Sequence, residues 1–208
     1  PAEWMPYQAN RFHSDWHWWY NFGTGDIGND GAHEFDYARW GLGVDTLPCK
    51  VSGLGGKYYF DDQQQFPDTA TCVFEYPKAV STGKPKQLVF ELRLWSRNYP
   101  MNCDSGVEFL GTAGKMLLSK RGKMQILDDR NKVVDEKKVN MDKRLRHLDD
   151  FLDAIRNGRR PTADILEGYR SVAPIHLANI AIRTGQTLLF DSTADEIVGD
   201  PASNELLS

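Results

Sequence analysis

Residues 23–43 read GTGDIGNDGAHEFDYARWGLG, and the fold turns on how the first six of them are understood. Gly23, Gly25 and Gly28 have the G-x-G-x-x-G spacing of a dinucleotide loop, which would make the chain a doubly wound parallel sheet. Such a loop needs a buried apolar strand ahead of it and an acidic residue at the end of the strand that follows. Here the residues ahead are Trp18-Trp19-Tyr20-Asn21-Phe22, bulky and partly polar, and the nearest acid, Asp45, comes before the next strand. Asp26 would also set negative charge beside a pyrophosphate. The six residues are therefore read as a tight turn into a helix over 29–42. Asn29 or Asp30 caps it, Ala32, Phe35, Ala38 and Leu42 recur at helical spacing, and Gly41 and Gly43 stop it.

Outward from this helix the pattern changes period. Residues 49–60 (with a bend at 53–56), 70–76, 86–96, 106–111, 115–119, 123–128 and 132–139 read as strands. The links between them are too short for helical crossovers, which demands mostly antiparallel pairing. Two helices close the chain. In 142–157, Leu145, Leu148, Leu152 and Ile155 form one stripe, and Gly158 is the C-cap. In 162–184, Thr162 is the cap, Ile165, Tyr169, Val172, His176 and Ile180 face one way, Pro174 should kink the helix, and Gly185 ends it. The expected fold class is α+β: an open, mostly antiparallel β-sheet with helices packed on one face, and no Rossmann unit. Residues 1–208 form one domain in this reading: a loop-rich opening segment (1–22), the turn and helix (23–43), the sheet (49–139) and the closing helices (142–185). Val89, Phe90, Leu92, Leu94 and Trp95 are too apolar on both strand faces for plain solvent, which points to a second copy across the sheet.

Composition narrows the class further. The chain has 208 residues, 40% hydrophobic and 26% charged, an ordinary globular balance. No apolar run approaches the roughly 18 residues of a membrane span. The formal charge is −4, from 25 Lys and Arg against 29 Asp and Glu, which argues against a general nucleic-acid binder. Residues 115–146 hold eleven Lys or Arg and five Asp or Glu, read as solvated lysines that keep edge strands from pairing. Cys49, Cys72 and Cys103 are odd in number and form no C-x-x-C, so neither a disulfide framework nor a zinc ribbon is expected. No signal peptide opens the chain, which favours the cytoplasm. The start at Pro1 leaves a periplasmic or secreted setting open.

The candidate chemistry lies in the N-terminal fifth. Five of the six tryptophans and three of the five histidines, His13, His17 and His33, fall within the first 40 residues. On a helix, Asn29, His33 and Asp36 share a face. An imidazole beside a carboxylate suits proton exchange with a hydroxyl, although a histidine can equally bond a core carbonyl. His13, Asp15 and His17 make an incomplete ligand set, so no metal is expected. His147 reads as a surface residue, and His176, next to the Pro174 kink, reads either as a core histidine or as one lining a pocket.

The stretch 23–43 also resembles the second signature of the glucose–fructose oxidoreductase / inositol dehydrogenase / MocA family, roughly GGGxxxDxGxHxxDxxxxLxG. The likeness continues through Asp68-Thr69, the turn Gly111-Thr112-Ala113-Gly114, the stretch from His147 and Phe151 to Pro161, and His176-Leu177-Ala178-Asn179-Ile180-Ala181. The resemblance implies a nicotinamide-dependent oxidoreductase acting on a secondary alcohol of a sugar, sugar derivative or cyclitol. It also implies that this is the C-terminal substrate-binding and oligomerisation domain. The family's N-terminal Rossmann domain and its E-K-P lysine have no counterpart here, so the chain alone should be inactive. Carried over by position, the signature histidine is His33 and the signature acid falls on Asn29, which cannot ionise, with Asp30 next to it. Asp36 matches a later, structural acid. By the same resemblance Trp16, Trp18, His17 and His176 would line the substrate, and Gly25 and His17 would approach NAD or NADP. A homodimer or homotetramer would form through the open sheet face. Two other readings remain: a relative that uses the redox cycle for net glycoside hydrolysis, and a non-catalytic sheet-mediated scaffold.

Overall fold

The computed structural model describes residues 6–99, 102–103, 105–138 and 144–207. Residues 1–5, 139 and 142–143 of the expected segments lie outside the described residues. After two 3₁₀ turns, Ala9–Arg11 and Asp15–Trp18, the chain enters α1 (Gly25–Asn29) and α2 (Gly31–Leu42). Strands β1 (Lys50–Gly56), β2 (Thr69–Tyr76), β3 (Lys86–Arg93), β4 (Gly106–Gly111), β5 (Gly114–Ser119), β6 (Lys123–Asp128) and β7 (Val133–Lys138) come next. Helices α3 (Arg144–Asn157) and α4 (Ile165–Thr184), short strands β8 (Leu188–Asp191) and β9 (Glu196–Ile197), and α5 (Pro201–Asn204) complete the chain. None of the described helices is long and apolar enough to cross a membrane.

All strand pairs among the described residues are antiparallel. The strands make two sheets, ordered β3-β2-β1-β8-β9 and β4-β5-β6-β7, where the sequence points to one. Strands β8 and β9, four and two residues long, escape a periodicity reading because they are shorter than the pattern that would reveal them. In β2 the alternation is clean: Ala70, Cys72, Phe74 and Tyr76 point inward and are buried. They pack with Val51, Leu188 and Phe190 beneath Ile27, Phe35 and Ala38 of the first helices and Ile175, Ala178 and Ala181 of α4. The Phe35 ring meets Phe74 edge-on at 4.9 Å and stacks near Phe90 at 5.4 Å.

The facing of the last two helices differs from the expectation. On α4 the buried residues include Ser171, Pro174, Ile175, Ala178 and Ala181, whereas Ile165, Tyr169, Val172 and His176 look outward and only Ile180 of the expected stripe is buried. The physical reason is a close approach at one glycine: Gly53 lets α4 lie close over β1, where a Cβ would stand 2.8 Å from Ile182 Cγ1 and 3.5 Å from the Ala178 carbonyl oxygen, and this turns the face around Ala178 toward the sheet. Helical periodicity finds both faces of α4 and cannot say which one the sheet takes. The α4 cap is Asp164, whose carboxylate accepts the Leu166 N–H at 2.9 Å, and not Thr162. The helix runs unbroken through Pro174 and ends in left-handed Gly185. On α3 the apolar stripe is real but turned away from the core: Leu148, Phe151, Leu152 and Ile155 are exposed, and Ala154 is buried. The side chain of Leu145 lies outside those described.

A buried polar network ties α2 to α4. Arg39, 3% exposed, donates to the Val44 carbonyl at 3.2 Å and to Ser171 Oγ at 3.3 Å, and pairs with Glu167. Ser171 Oγ in turn donates to Asp36 Oδ1 at 2.7 Å. Asp36, one turn after His33 on α2, thus serves the join between the helices.

Candidate functional site

The backbone stays in the right-handed helical region through Asp30, at φ −96° and ψ −40°. The Asp30 N–H donates to the Asp26 carbonyl and the His33 N–H to the Asp30 carbonyl, each at 3.1 Å. Helices α1 and α2 therefore continue one another around a single irregular residue. Spacings of three and four then bring Asp26, Asn29, Asp30 and His33 onto one face. Ile27, Gly31 and Phe35 are buried on the other side, which fixes the rotation of the polar face. Asn29, Asp30 and His33 are exposed and Asp26 is half-buried.

Two residues from elsewhere complete the constellation. Lys120, at the end of the β5 hairpin, donates to Asp30 Oδ1 at 2.7 Å. His17, half-buried on the Asp15–Trp18 turn, lies against Gly23, where a Cβ would stand 2.4 Å from its Cα. Burial pushes the Asp26 carboxyl above its ordinary range, and the charge of Asp30 adds to this. A hydrogen bond from Asn29 and the nearby His17 and Lys120 partly offset the rise. A half-buried carboxyl with a raised pKa among two amphoteric or cationic neighbours is the arrangement that proton-handling sites display.

The rings around His17 are ordered by contact. Its imidazole lies 4.3 Å from the Trp18 ring and 5.8 Å from that of Trp16, between centroids. Trp16 is exposed and Trp18 half-buried. This turn is bound to the loop after β1: the Gln65 N–H donates to the Trp18 carbonyl at 3.0 Å, and the Tyr20 N–H donates to Gln65 Oε1 at 2.9 Å. Gly25, at φ +64°, is buried with a virtual Cβ 2.5 Å from Phe66 Cγ, so the turn rests directly on that ring. His176 stands apart on the outer side of α4, with its pKa pulled down by desolvation. Asn179, one turn further along, donates to the Thr24 carbonyl at 3.0 Å. Among the described residues no group of three or more His, Cys, Asp and Glu can hold a metal ion.

Asp68 organises the neighbouring loop. It is 0% exposed. Its Oδ2 accepts the N–H groups of Tyr59 (2.9 Å) and Phe60 (2.8 Å). Its Oδ1 accepts the Tyr58 N–H (3.1 Å) and the Thr69 hydroxyl (2.7 Å). Burial alone would raise this carboxyl, but the bonds from Phe60, Thr69, Tyr59 and Tyr58 prevail and hold it down at about 2.

Sequence reasoning does not single out three of these residues. Asp26 reads there only as a charge hostile to pyrophosphate; a helix starting at 25 instead of 29 puts it on the polar face. Lys120 reads as one more solvated edge lysine, since its pairing with Asp30 spans 90 positions. Asp68 reads only as the lead into a strand.

The comparisons with known proteins agree with this architecture. A family model described as the C-terminal alpha/beta domain of an oxidoreductase family, GFO_IDH_MocA_C2, matches residues 101–208. Among solved structures, the aldose–aldose oxidoreductase of Caulobacter crescentus, complexed with glycerol, superposes with a TM-score of 0.63 at 18% identity, covering 85% of this chain and 51% of that one. An oxidoreductase from Agrobacterium radiobacter in complex with NAD+, L-tartaric acid and magnesium gives 0.55 at 15% identity, covering 81% and 49%. The WlbA dehydrogenase of Bordetella pertussis, in complex with NADH and UDP-GlcNAcA, gives 0.53 at 14% identity, covering 90% and 52%. No curated protein matches the chain. The chain spans about half the length of these solved relatives. It belongs to the glucose–fructose oxidoreductase / inositol dehydrogenase / MocA family of oxidoreductases, and its fold is that of the family's C-terminal α/β domain.

Proposed function

We propose that this chain is the substrate-holding domain of a dehydrogenase that oxidises a secondary alcohol of a sugar, sugar derivative or cyclitol, and that it is inactive alone. The observation that carries the reading is the polar face of α1 and α2. Asn29, Asp30 and His33 are exposed there, while Asp26 and His17 stand half-buried next to them.

A dinucleotide does not fit the Gly23–Gly28 turn. Gly25 is filled from below by Phe66, a Cβ on Gly28 would stand 1.8 Å from Thr24 Oγ1, and Asp26 puts a carboxylate where a pyrophosphate would lie. NAD or NADP is therefore assigned to a separate dinucleotide-binding domain, where it would supply the hydride acceptor. The residues of this chain bind and orient the alcohol. His33 hydrogen-bonds the reacting hydroxyl and holds its proton. Asn29 offers an amide to a neighbouring hydroxyl. Asp30, pinned by Lys120, fixes the charge beside them. Trp16 and Trp18 give the sugar ring an apolar wall, with His17 beside them; Gly25 borders this region rather than touching the reacting atoms, and His176 stands apart from it. Leu54, Val89 and Leu189, exposed on the outer side of the five-stranded sheet, would be covered by a second copy.

The test is His33→Ala in the full-length protein, assayed by NADH or NADPH formation on sugar alcohols. General acid–base groups contribute about 10²–10⁴ in rate, so kcat should fall by well over tenfold while KM changes little. A near-normal kcat removes His33 from the mechanism. Free sugar released with no net change in coenzyme would replace dehydrogenation by redox-assisted hydrolysis.

A further inference from the structure

Residues 6–20, which carry Trp16, His17 and Trp18, hang from one loop. Among the described residues, the hydrogen bonds that join them to the chain beyond Gly23 all end on Gln63 or Gln65. Asn10 Nδ2 donates to Gln63 Oε1 at 2.6 Å. Gln65 takes the rest. Its N–H donates to the Trp18 carbonyl at 3.0 Å, its side-chain Oε1 accepts the Tyr20 N–H at 2.9 Å, and its carbonyl accepts the Tyr20 hydroxyl at 3.1 Å. In a regular strand bridge the main-chain carbonyl would take that N–H. Here the carbonyl is occupied by the Tyr20 hydroxyl, and the amide oxygen of the side chain stands in for it. A side chain without an acceptor, such as that of alanine, leaves the Tyr20 N–H open.

The loop that offers Gln65 is itself fixed at both ends. Asp68 binds the N–H groups of Tyr58, Tyr59 and Phe60 at its start. At its other end Phe66, 2% exposed, lies under Gly25 and meets the Tyr20 ring edge-on at 4.4 Å. The junction also borders the polar face. The Trp18 carbonyl follows directly on His17, which lies against Gly23, and the charge of His17 reaches Asp26. The turn it holds has little else to order it: Trp16 is 49% exposed, and the only regular structure is the 3₁₀ turn Asp15–Trp18. Such a segment belongs to the low-stability end of a fold, where few bonds separate the held form from the released one. A wall that binds only when held weakens apparent affinity by the fraction released.

We infer that Gln65 is a positioning residue, which holds the Trp16–His17–Trp18 turn in place beside the polar face through its amide oxygen and its main-chain N–H and carbonyl. The inference rests on the reading of that turn as the substrate's apolar wall. Gln65 acts through Trp18 and Tyr20 and touches no reacting atom. Its effect therefore falls on substrate affinity, whereas that of His33 falls on turnover.

The experiment compares Gln65→Ala with Gln65→Glu in the full-length protein. Glutamate keeps the length of the side chain and the acceptor that Tyr20 uses, so it should track the wild type. NADH or NADPH formation is followed with myo-inositol and with D-glucose, and amide hydrogen exchange is followed across residues 16–20. Gln65→Ala should raise KM by about three- to tenfold, the worth of one hydrogen bond, and leave kcat within about twofold. Exchange at 16–20 should quicken by a similar factor while that of α2 stays as it is. An active wild type whose KM is untouched by Gln65→Ala overturns the inference alone. So does a loss that appears in kcat and not in KM, or a glutamate variant that behaves like the alanine one. A wild type that turns over neither alcohol sinks the sugar-alcohol reading, and the positioning role falls with it even where exchange still depends on Gln65.

Discussion

Replacing Asp68 by Asn keeps its shape and removes its charge, and the four bonds at that carboxylate set the cost. Each oxygen takes two donors: Tyr59 and Phe60 N–H on one, Tyr58 N–H and the Thr69 hydroxyl on the other. An amide has one acceptor oxygen. Turned toward Tyr59 and Phe60, it leaves an NH₂ facing the Tyr58 N–H. The Thr69 hydroxyl can reverse to accept from that NH₂, but the Tyr58 N–H then has no acceptor. An orphaned donor costs about 1–3 kcal/mol, and the surviving bonds lose their charge assistance. Relief of a buried anion offsets part of this, leaving a net loss of about 2 kcal/mol. For a chain of this size that is about 4–8 °C in Tm. The sign with pH is fixed as well. A carboxyl held at about 2 when folded, against about 3.9 unfolded, adds stability that is present above the unfolded value and is lost as pH falls toward 2. The gap between wild type and Asp68→Asn should therefore be full at neutral pH and close between about pH 4 and pH 2. Thermal denaturation monitored by circular dichroism at pH 7 and at steps below pH 4 measures both effects. A variant that melts with wild type at pH 7 would falsify the account of this loop.

Two further substitutions probe the turn and the polar face. Gly25→Ala meets both a left-handed backbone at φ +64° and the Phe66 ring, whereas Gly83→Ala, at φ +65° with nothing within 4 Å, meets the backbone penalty alone. The first should cost about 2–5 kcal/mol and the second about 1–2, so equal losses in denaturant titrations would show that Phe66 does not support the turn. Asp26→Asn should raise Tm at neutral pH, because burial raises this carboxyl and its ionised form destabilises the fold. That raised pKa makes wild-type stability fall as pH climbs above the unfolded value, so the advantage of the variant should vanish below about pH 4. A destabilised variant at pH 7 contradicts the burial argument.

Strand placement was legible because it depends on local alternation. The seven strands read from sequence lie within a few residues of those observed, and β4 and β6 coincide with their expected bounds. The helices were legible as helices but not in their facing. On α4 the outward set Ile165, Tyr169, Val172 and His176 has the same period as the inward set around Ile175 and Ala178. The close approach of α4 to β1 at Gly53 decides between them, and it depends on pairing that local periodicity does not carry. The candidate site was legible where its residues share one helix, as Asn29, Asp30 and His33 do. It was hidden where partners come from far along the chain. Lys120 reaches Asp30 only once β5 has folded back, and the Thr69 hydroxyl joins Trp95 to Asp68 only once β2 and β3 have paired.

That pairing also sets where the segments that support the first helices leave the sheet. In the antiparallel register Gly56 faces Thr69 and Thr69 faces Arg93, so the loop after β1 and the residues after β3 leave the sheet at the same edge. The first helices begin over this edge too, because Gly25 rests on Phe66 from that loop and Gly31 rests on Phe90 near the end of β3. A bulky residue at 31 would meet the Phe90 ring, 3.1 Å from the position of its Cβ, and would lift the Asn29–His33 turn off the sheet. The glycines of this segment, which by spacing alone resemble a coenzyme loop, act here as contact points that set the polar face at a fixed height above the sheet edge. The height of the Asn29–His33 turn over the sheet is therefore set by backbone packing, and a bulkier residue at Gly25 or Gly31 should disturb it without changing a single side chain of the polar face.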